Sequence, residues 1–179
     1  MTTIKGEKII LRPYRESDLD PLLEGANEPT GHKLTGTQLT FTRGDVERYL
    51  QRQIAADDNS RASFMIALPD DSRPLGEVVI NQIDHDNNNA NIRIAIFSPE
   101  DYGAGYGSEA MRLMVDYGFR ILKLHRIELD VFTFNPRAVH VYEKIGFKRE
   151  GLLRDVMFYD GAYHDAIIMS ILEYEWQPE

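Results

Sequence analysis

The run Tyr102-Gly103-Ala104-Gly105-Tyr106-Gly107-Ser108-Glu109-Ala110 sets glycine at every second position, directly after a strand-like segment and directly before a long apolar helix. Few features restrict a fold more. Glycine has no Cβ, so the backbone here can turn tightly and let another group approach closely. The following helix adds unpaired N–H groups and the positive end of its dipole at the same place. A strand, a glycine turn and a helix in succession predict a layered chain with an anion site suited to a phosphate-bearing cofactor. Taken alone, the same glycines also suit a tight surface turn.

The chain length of 179 residues suits one domain, residues 1–179, with enough apolar content (42%) for a sizeable core. A formal net charge of −9 argues against broad binding to nucleic-acid phosphates. It is compatible with a cationic substrate, although acidity also serves solubility alone. Without any cysteine, thiolate metal sites, disulfides and cysteine-linked intermediates are excluded. No metal site is expected. Residues 1–8 carry charge and lack an apolar run, so they do not read as a signal peptide. No stretch is long and apolar enough to span a bilayer, and a cytoplasmic location is expected.

Along the chain, Lys8-Ile9-Ile10-Leu11-Arg12-Pro13 reads as a first strand, and Ser17 or Asp18 as the cap of a short helix through Leu19, Leu22 and Leu23. Residues 28–42, rich in Gly, Thr and Pro, read as a mobile loop. A helix is predicted from Thr42 to Ala56, with Val46, Tyr49, Leu50 and Ile54 on one face. Residues 62–68, 75–83 and 91–97 read as strands, the last with Ile92, Ile94 and Ile96 on one side. The helix after the glycines carries one polar stripe, Glu109, Arg112, Asp116, Arg120 and Lys123. A strand over 126–134 precedes a helix opened by Pro136 and ended by Gly146. Residues 147–159 and 163–172 form a hairpin around Asp160-Gly161. The fold class is a single α/β (α+β) domain with a mixed, mostly antiparallel sheet flanked by helices.

Two nucleotide sites compete for the glycines. The dinucleotide fingerprint needs a third glycine where Ser108 stands, and no second strand–helix–strand unit follows; Glu128 and Asp130 do lie near the acidic position. A nucleotide-hydrolase loop needs a lysine after the glycines, and none is there. A second constellation discriminates. Asn135-Pro136-Arg137-Ala138-Val139-His140-Val141-Tyr142-Glu143-Lys144-Ile145-Gly146-Phe147 gives N-x-x-A-x-x-x-Y-x-x-x-G-F, with Ala138 and Tyr142 on one helix face and Asn135 as its cap.

With both motifs in place, the chain resembles the GCN5-related N-acetyltransferase (GNAT) superfamily, within it the group of ribosomal-protein N-terminal acetyltransferases and spermidine acetyltransferases. The resemblance runs from Leu11-Arg12-Pro13-Tyr14 to Ile168-Met169-Ser170-Ile171-Leu172. It implies a GNAT domain that binds acetyl-CoA and needs no metal. Tyr102, Gly103, Ala104, Gly105, Tyr106, Gly107 and Ser108 match the loop whose N–H groups hold the pyrophosphate. Relatives usually carry Gln or Arg at Tyr102, so the resemblance implies the backbone cradle but not that side-chain contact. Ile94, Ala95 and Ile96 match the splayed strand that pairs with the pantetheine arm. Asn135 matches a cofactor-side asparagine, and Tyr142 the tyrosine beside the sulfur.

The implied reaction is direct transfer from acetyl-CoA to a primary amine in a ternary complex. The departing thiolate benefits from an acid, and a tyrosine, titrating at about 10, is protonated at neutral pH, so Tyr142 can supply it. Glu77, on the strand beside the cofactor strand, is the candidate base, although a strand carboxylate more often simply faces solvent. Asn91 stands where relatives often have a glutamate; His85 and His140 are further candidates. The acceptor, a protein N-terminus, a polyamine or a small amino compound, is expected between residues 28–42 and the 159–163 turn. Relatives also suggest a homodimer. Two other readings stay open: a CoA-binding sensor without turnover, and a dinucleotide-dependent enzyme.

Overall fold

The computed structural model describes residues 2–55 and 58–178; Met1 and the expected helix end at Ala56 lie outside them. Its strands form one eight-stranded sheet of β1 (Ile4–Lys5), β2 (Ile10–Arg12), β3 (Ala62–Ala67), β4 (Pro74–Asp84), β5 (Asn89–Ile96), β6 (Arg126–Phe132), β7 (Lys148–Tyr159) and β8 (Ala162–Leu172). The order across the sheet is β1-β2-β3-β4-β5-β6-β8-β7. Every neighbouring pair is antiparallel except β5 and β6, so the expected mixed sheet is the one observed. The helices are α1 (Leu19–Ala26), α2 (Pro29–Thr35), α3 (Arg43–Ala55), α4 (Tyr106–Arg120) and α5 (Pro136–Ile145). Among the described residues, no helix is long and apolar enough to cross a membrane.

Period-two alternation sends successive strand residues to opposite faces and so makes two cores. Phe64 and Ile66 join Val78, Ile80, Ile92 and Ile127 under α4 and α5, where Met111, Met114, Val115 and Val139 are buried. Met65, between them in sequence, joins Tyr14, Leu22, Val46 and Leu50 under α1 and α3. Each wholly buried side chain of this size contributes about 1.5–3 kcal/mol. Helix α4 lies very close to the sheet because Gly118 leaves room. A Cβ there would stand 2.7 Å from the Cδ1 of Ile127 and 3.0 Å from that of Ile80.

Four expectations need correction. Residues 28–42 are not a loop throughout: Pro29–Thr35 is helical, its Glu28 cap accepting from the Gly31 N–H at 2.6 Å and Gly36 ending it in the left-handed region. No residue of α2 is buried, so it has no apolar stripe for periodicity to detect. Asp18 stands at the N-cap position of α1, but its side chain accepts from no N–H of that helix; it is buried and held by the Arg12 guanidinium through two 2.8 Å contacts. In α3 the buried face is Val46, Leu50 and Gln53, whereas Ile54 is 36% exposed. Helix α4 stops at Arg120, and Lys123 sits beyond it in a left-handed turn with φ 59°. The two-residue β1 had no counterpart in the sequence reading, being too short to show alternation.

Candidate active site

The parallel pair β5–β6 opens into a wedge. Its register runs from Asn89↔Arg126 to Asn91↔Glu128 and stops there, although β5 continues to Ile96 and β6 to Phe132. On its other edge β5 stays paired with β4 out to Gly76↔Ile96. The β6-facing edge beyond Asn91 has therefore lost its strand partner; the Phe97 N–H donates to the Leu75 carbonyl, so by alternation Ile94 and Ile96 turn their backbone groups to that open edge, while Ala95, between them, turns its own to Glu77 of β4. Groups on the open edge need other partners. An extended chain bearing amides would supply them in the manner of an added strand.

The glycine run stands at the mouth of this wedge. A Cβ on Gly107 would lie 3.7 Å from Ile96 Cγ1 and 3.8 Å from Ile94 Cδ1, which puts the first turn of α4 directly over the splayed strand. Asp101, the residue before Tyr102, is buried and gripped by Arg73 through two 2.8 Å hydrogen bonds, which fixes where the loop starts. Gly103 and Gly105 have φ of 83° and 89°, conformations that cost other residues strain. Gly105 is the N-cap of α4 and brings no side chain to accept from the N–H groups of Tyr106, Gly107 and Ser108. These uncapped donors, at the positive end of a 15-residue helix, fit a diphosphate. The wedge beyond them fits the pantetheine amides of CoA. Tyr102 is half-buried at the loop's start. Its hydroxyl is pushed above the usual range by burial and then by the Glu28 charge, with Arg137 opposing.

Tyr142 projects from α5 beside the other wall of the wedge. Its ring lies 6.0 Å from that of Phe147 and packs on the main core. Burial, with a further push from Asp130 on β6, raises its hydroxyl to about 12. Asp130 stands two residues past the last β5–β6 pair, so Tyr142 faces the splayed part of β6. Among the described residues the hydroxyl has no hydrogen-bond partner, and its proton is free to be donated. Asn135 caps α5, its Oδ1 accepting from the Ala138 N–H at 3.2 Å, which leaves its amide nitrogen for another partner.

Glu77 is not a solvent-facing carboxylate. Only 8% exposed, it accepts from the hydroxyls of Tyr14 and Tyr49, each at 2.8 Å, and from Arg93 at 3.1 Å. Arg93 also donates to the Tyr49 oxygen at 3.1 Å. Burial, and then the Glu77 charge, hold both tyrosines in the neutral form well above their ordinary range. In register Glu77 stands opposite Ala95, one strand away from the wedge. The cluster gathers residues from β4, β5, α3 and the segment after β2. Strand alternation marks only Glu77 and Arg93 as sharing a face; nothing local announces the two tyrosines.

Residues 28–42 reach β7 just before the 159–163 turn: the Gln38 amide donates to the Phe158 carbonyl at 2.8 Å, and a Cβ on Gly36 would strike Met157 and Phe132. His85 lies away from the wedge in the β4–β5 turn, bonded to the Asn59 carbonyl at 2.9 Å. His140 is exposed on α5. Asn91 sits at the fork itself, the last β5 residue paired with β6.

Comparison with known proteins agrees with this geometry. The acetyltransferase (GNAT) domain profile matches residues 8–148. The spermidine N(1)-acetyltransferase of Escherichia coli K12 is 36% identical over 122 residues, 68% of this chain; the chain spans 64% of that relative's length. A putative ribosomal N-acetyltransferase of Bacillus subtilis is 32% identical over 109 residues, covering 61% of this chain and 59% of that one. The spermidine N-acetyltransferase of Vibrio cholerae, solved with CoA and spermine, superposes with a TM-score of 0.86 at 28% identity, over 95% of this chain and 98% of that one. A glycine loop over a wedge opened in a mixed sheet, within a sequence that carries the profile across most of its length, makes this chain a member of the acetyltransferase (GNAT) domain family.

Proposed function

We propose that this chain is an acetyl-CoA-dependent N-acetyltransferase whose acceptor is a small primary amine of the polyamine class. One observation carries the reading: the uncapped start of α4 and the unpaired edge of β5 lie side by side, with Tyr142 across the wedge. The spermidine acetyltransferases among the relatives and the net charge of −9 favour a cationic amine over other acceptors.

Acetyl-CoA supplies the acetyl group as a thioester. Residues 103–108 hold the diphosphate through backbone N–H groups, and the free edge of β5 at Ile94 and Ile96 aligns the pantetheine arm. An N–H of that edge stabilises negative charge as it grows on the carbonyl oxygen. The amine nitrogen attacks the carbonyl carbon and the C–S bond breaks. Tyr142 gives its proton to the leaving sulfur, and a tyrosine held at about 12 stays protonated at any working pH. Glu77 takes the proton that the amine loses. With three donors on its oxygens it is reached through the Tyr49 hydroxyl, which bridges it toward the surface.

Thiol release from acetyl-CoA, measured over spermidine, spermine, diamines and peptides with free N-termini, tests the reading. Turnover with polyamines and little with peptides is expected. CoA binding without thiol release from any amine would leave a sensor in place of an enzyme. A preference for peptide N-termini would reassign the acceptor.

A further inference from the structure

The glycine loop supplies donors but no full charge, and the residue at its start, Tyr102, is neutral. A diphosphate and a 3′-phosphate need more in a chain of net charge −9. Two cations stand against the loop from opposite sides. Lys8, in the turn between β1 and β2, reaches across with its Nζ 3.1 Å from the Ala104 carbonyl oxygen. A Cβ on Gly105 would lie 2.9 Å from that same Nζ. Arg137, in the first turn of α5, lays its guanidinium 5.4 Å from the centroid of the Tyr102 ring, and its Nη2 would stand 3.6 Å from a Cβ on Gly103. Both side chains are exposed, and neither is engaged by a carboxylate among the described residues.

The placing of Lys8 is built. Glu109, in the first turn of α4, accepts from the Glu7 N–H at 2.5 Å and from the Lys8 N–H at 2.9 Å. A carboxylate beside an anion site would repel the ligand. Here it is spent on two backbone donors and fastens the turn that carries Lys8 to the helix that forms the cradle. Arg137 is placed by its ring contact, since a guanidinium over an aromatic face is held by the ring quadrupole.

We propose that Lys8 and Arg137 are phosphate-binding residues of the donor site, supplying from two remote segments the positive charge that Tyr102 does not. This rests on the acetyl-CoA reading above. Tyr102 then serves as the platform that keeps Arg137 over the loop.

Calorimetric titration of CoA and of dephospho-CoA into wild type, Lys8→Met, Arg137→Met and the double variant tests it, with each titration repeated across a range of salt. Each single change is expected to weaken CoA about tenfold, and the double change to lower the salt dependence of binding. A loss seen with both ligands assigns that cation to the diphosphate; a loss confined to CoA assigns it to the 3′-phosphate. Tyr102→Arg in the Arg137→Met background is expected to restore much of the affinity, because it returns a guanidinium to the same place. Variants that bind CoA within twofold of wild type, with unchanged salt dependence, would overturn the assignment and leave the acetyl-CoA reading intact. A wild-type protein that binds neither ligand would overturn both.

Discussion

The two ends of the wedge are made of different material. The donor end is backbone: left-handed glycines, uncapped helix N–H groups and a strand edge without a neighbour. The acceptor side is side chains, with Glu77 held by Tyr14, Tyr49 and Arg93 from separate elements. A cradle of backbone groups tolerates change of most side chains around it, the flanking cations Lys8 and Arg137 apart, but not of the conformation beneath it. A side-chain cluster reverses that sensitivity. Each end should therefore fail in its own way.

The sharpest break is expected at Tyr142. Tyr142→Phe should lower kcat by about 10²–10³-fold while leaving the CoA dissociation constant nearly unchanged, because only the proton donor is lost. Wild-type turnover from this variant would remove Tyr142 from the chemistry. Next comes Glu77→Gln, which should cut kcat/KM by about 10²-fold, again with CoA affinity kept. If the variant melts earlier but keeps the wild-type kcat/KM, the carboxylate only ties α3 to the sheet.

The donor end should break through its backbone. Gly105→Ala forces a residue with Cβ to φ near 89° and should weaken CoA about tenfold, leaving kcat at saturating acetyl-CoA close to wild type. Unchanged affinity would show that the loop can rearrange without its glycine.

The smallest effect expected is on alkaline stability. Tyr142 is raised to about 12 in the fold, and burial raises Tyr14 as well, whereas the unfolded chain titrates at about 10. The folded state thus holds these protons more tightly. The stability they confer is complete below about pH 10 and is lost as pH rises through 12. Urea midpoints followed from pH 8 to 11 should fall, and Tyr142→Phe should fall less. Equal slopes would place the hydroxyl in water.

The contrast also explains what could be read from the chain. Asn135 as the α5 cap, Gly146 as its end, the Asp160-Gly161 hairpin and the glycine turn before α4 each depend on residues within a few positions, so local chemistry announces them. Helix α2 escaped because it buries no residue and carries no stripe. Glu77 was singled out as a candidate, but its surroundings were not: its partners lie 16, 28 and 63 positions away. Lys8 gave no signal at all, since the atoms it meets are 96 positions downstream.

By itself, the sequence determined the family, the layered fold and a glycine turn leading into an uncapped helix, because φ preferences, caps and hydrophobic period are settled by near neighbours. Only the tertiary structure decided where β5 and β6 part, which hydroxyls close on Glu77, and that Lys8 and Arg137 converge on one loop. Those facts depend on strand order and register, which bring together residues far apart along the chain, and no local pattern encodes a distance between two such segments.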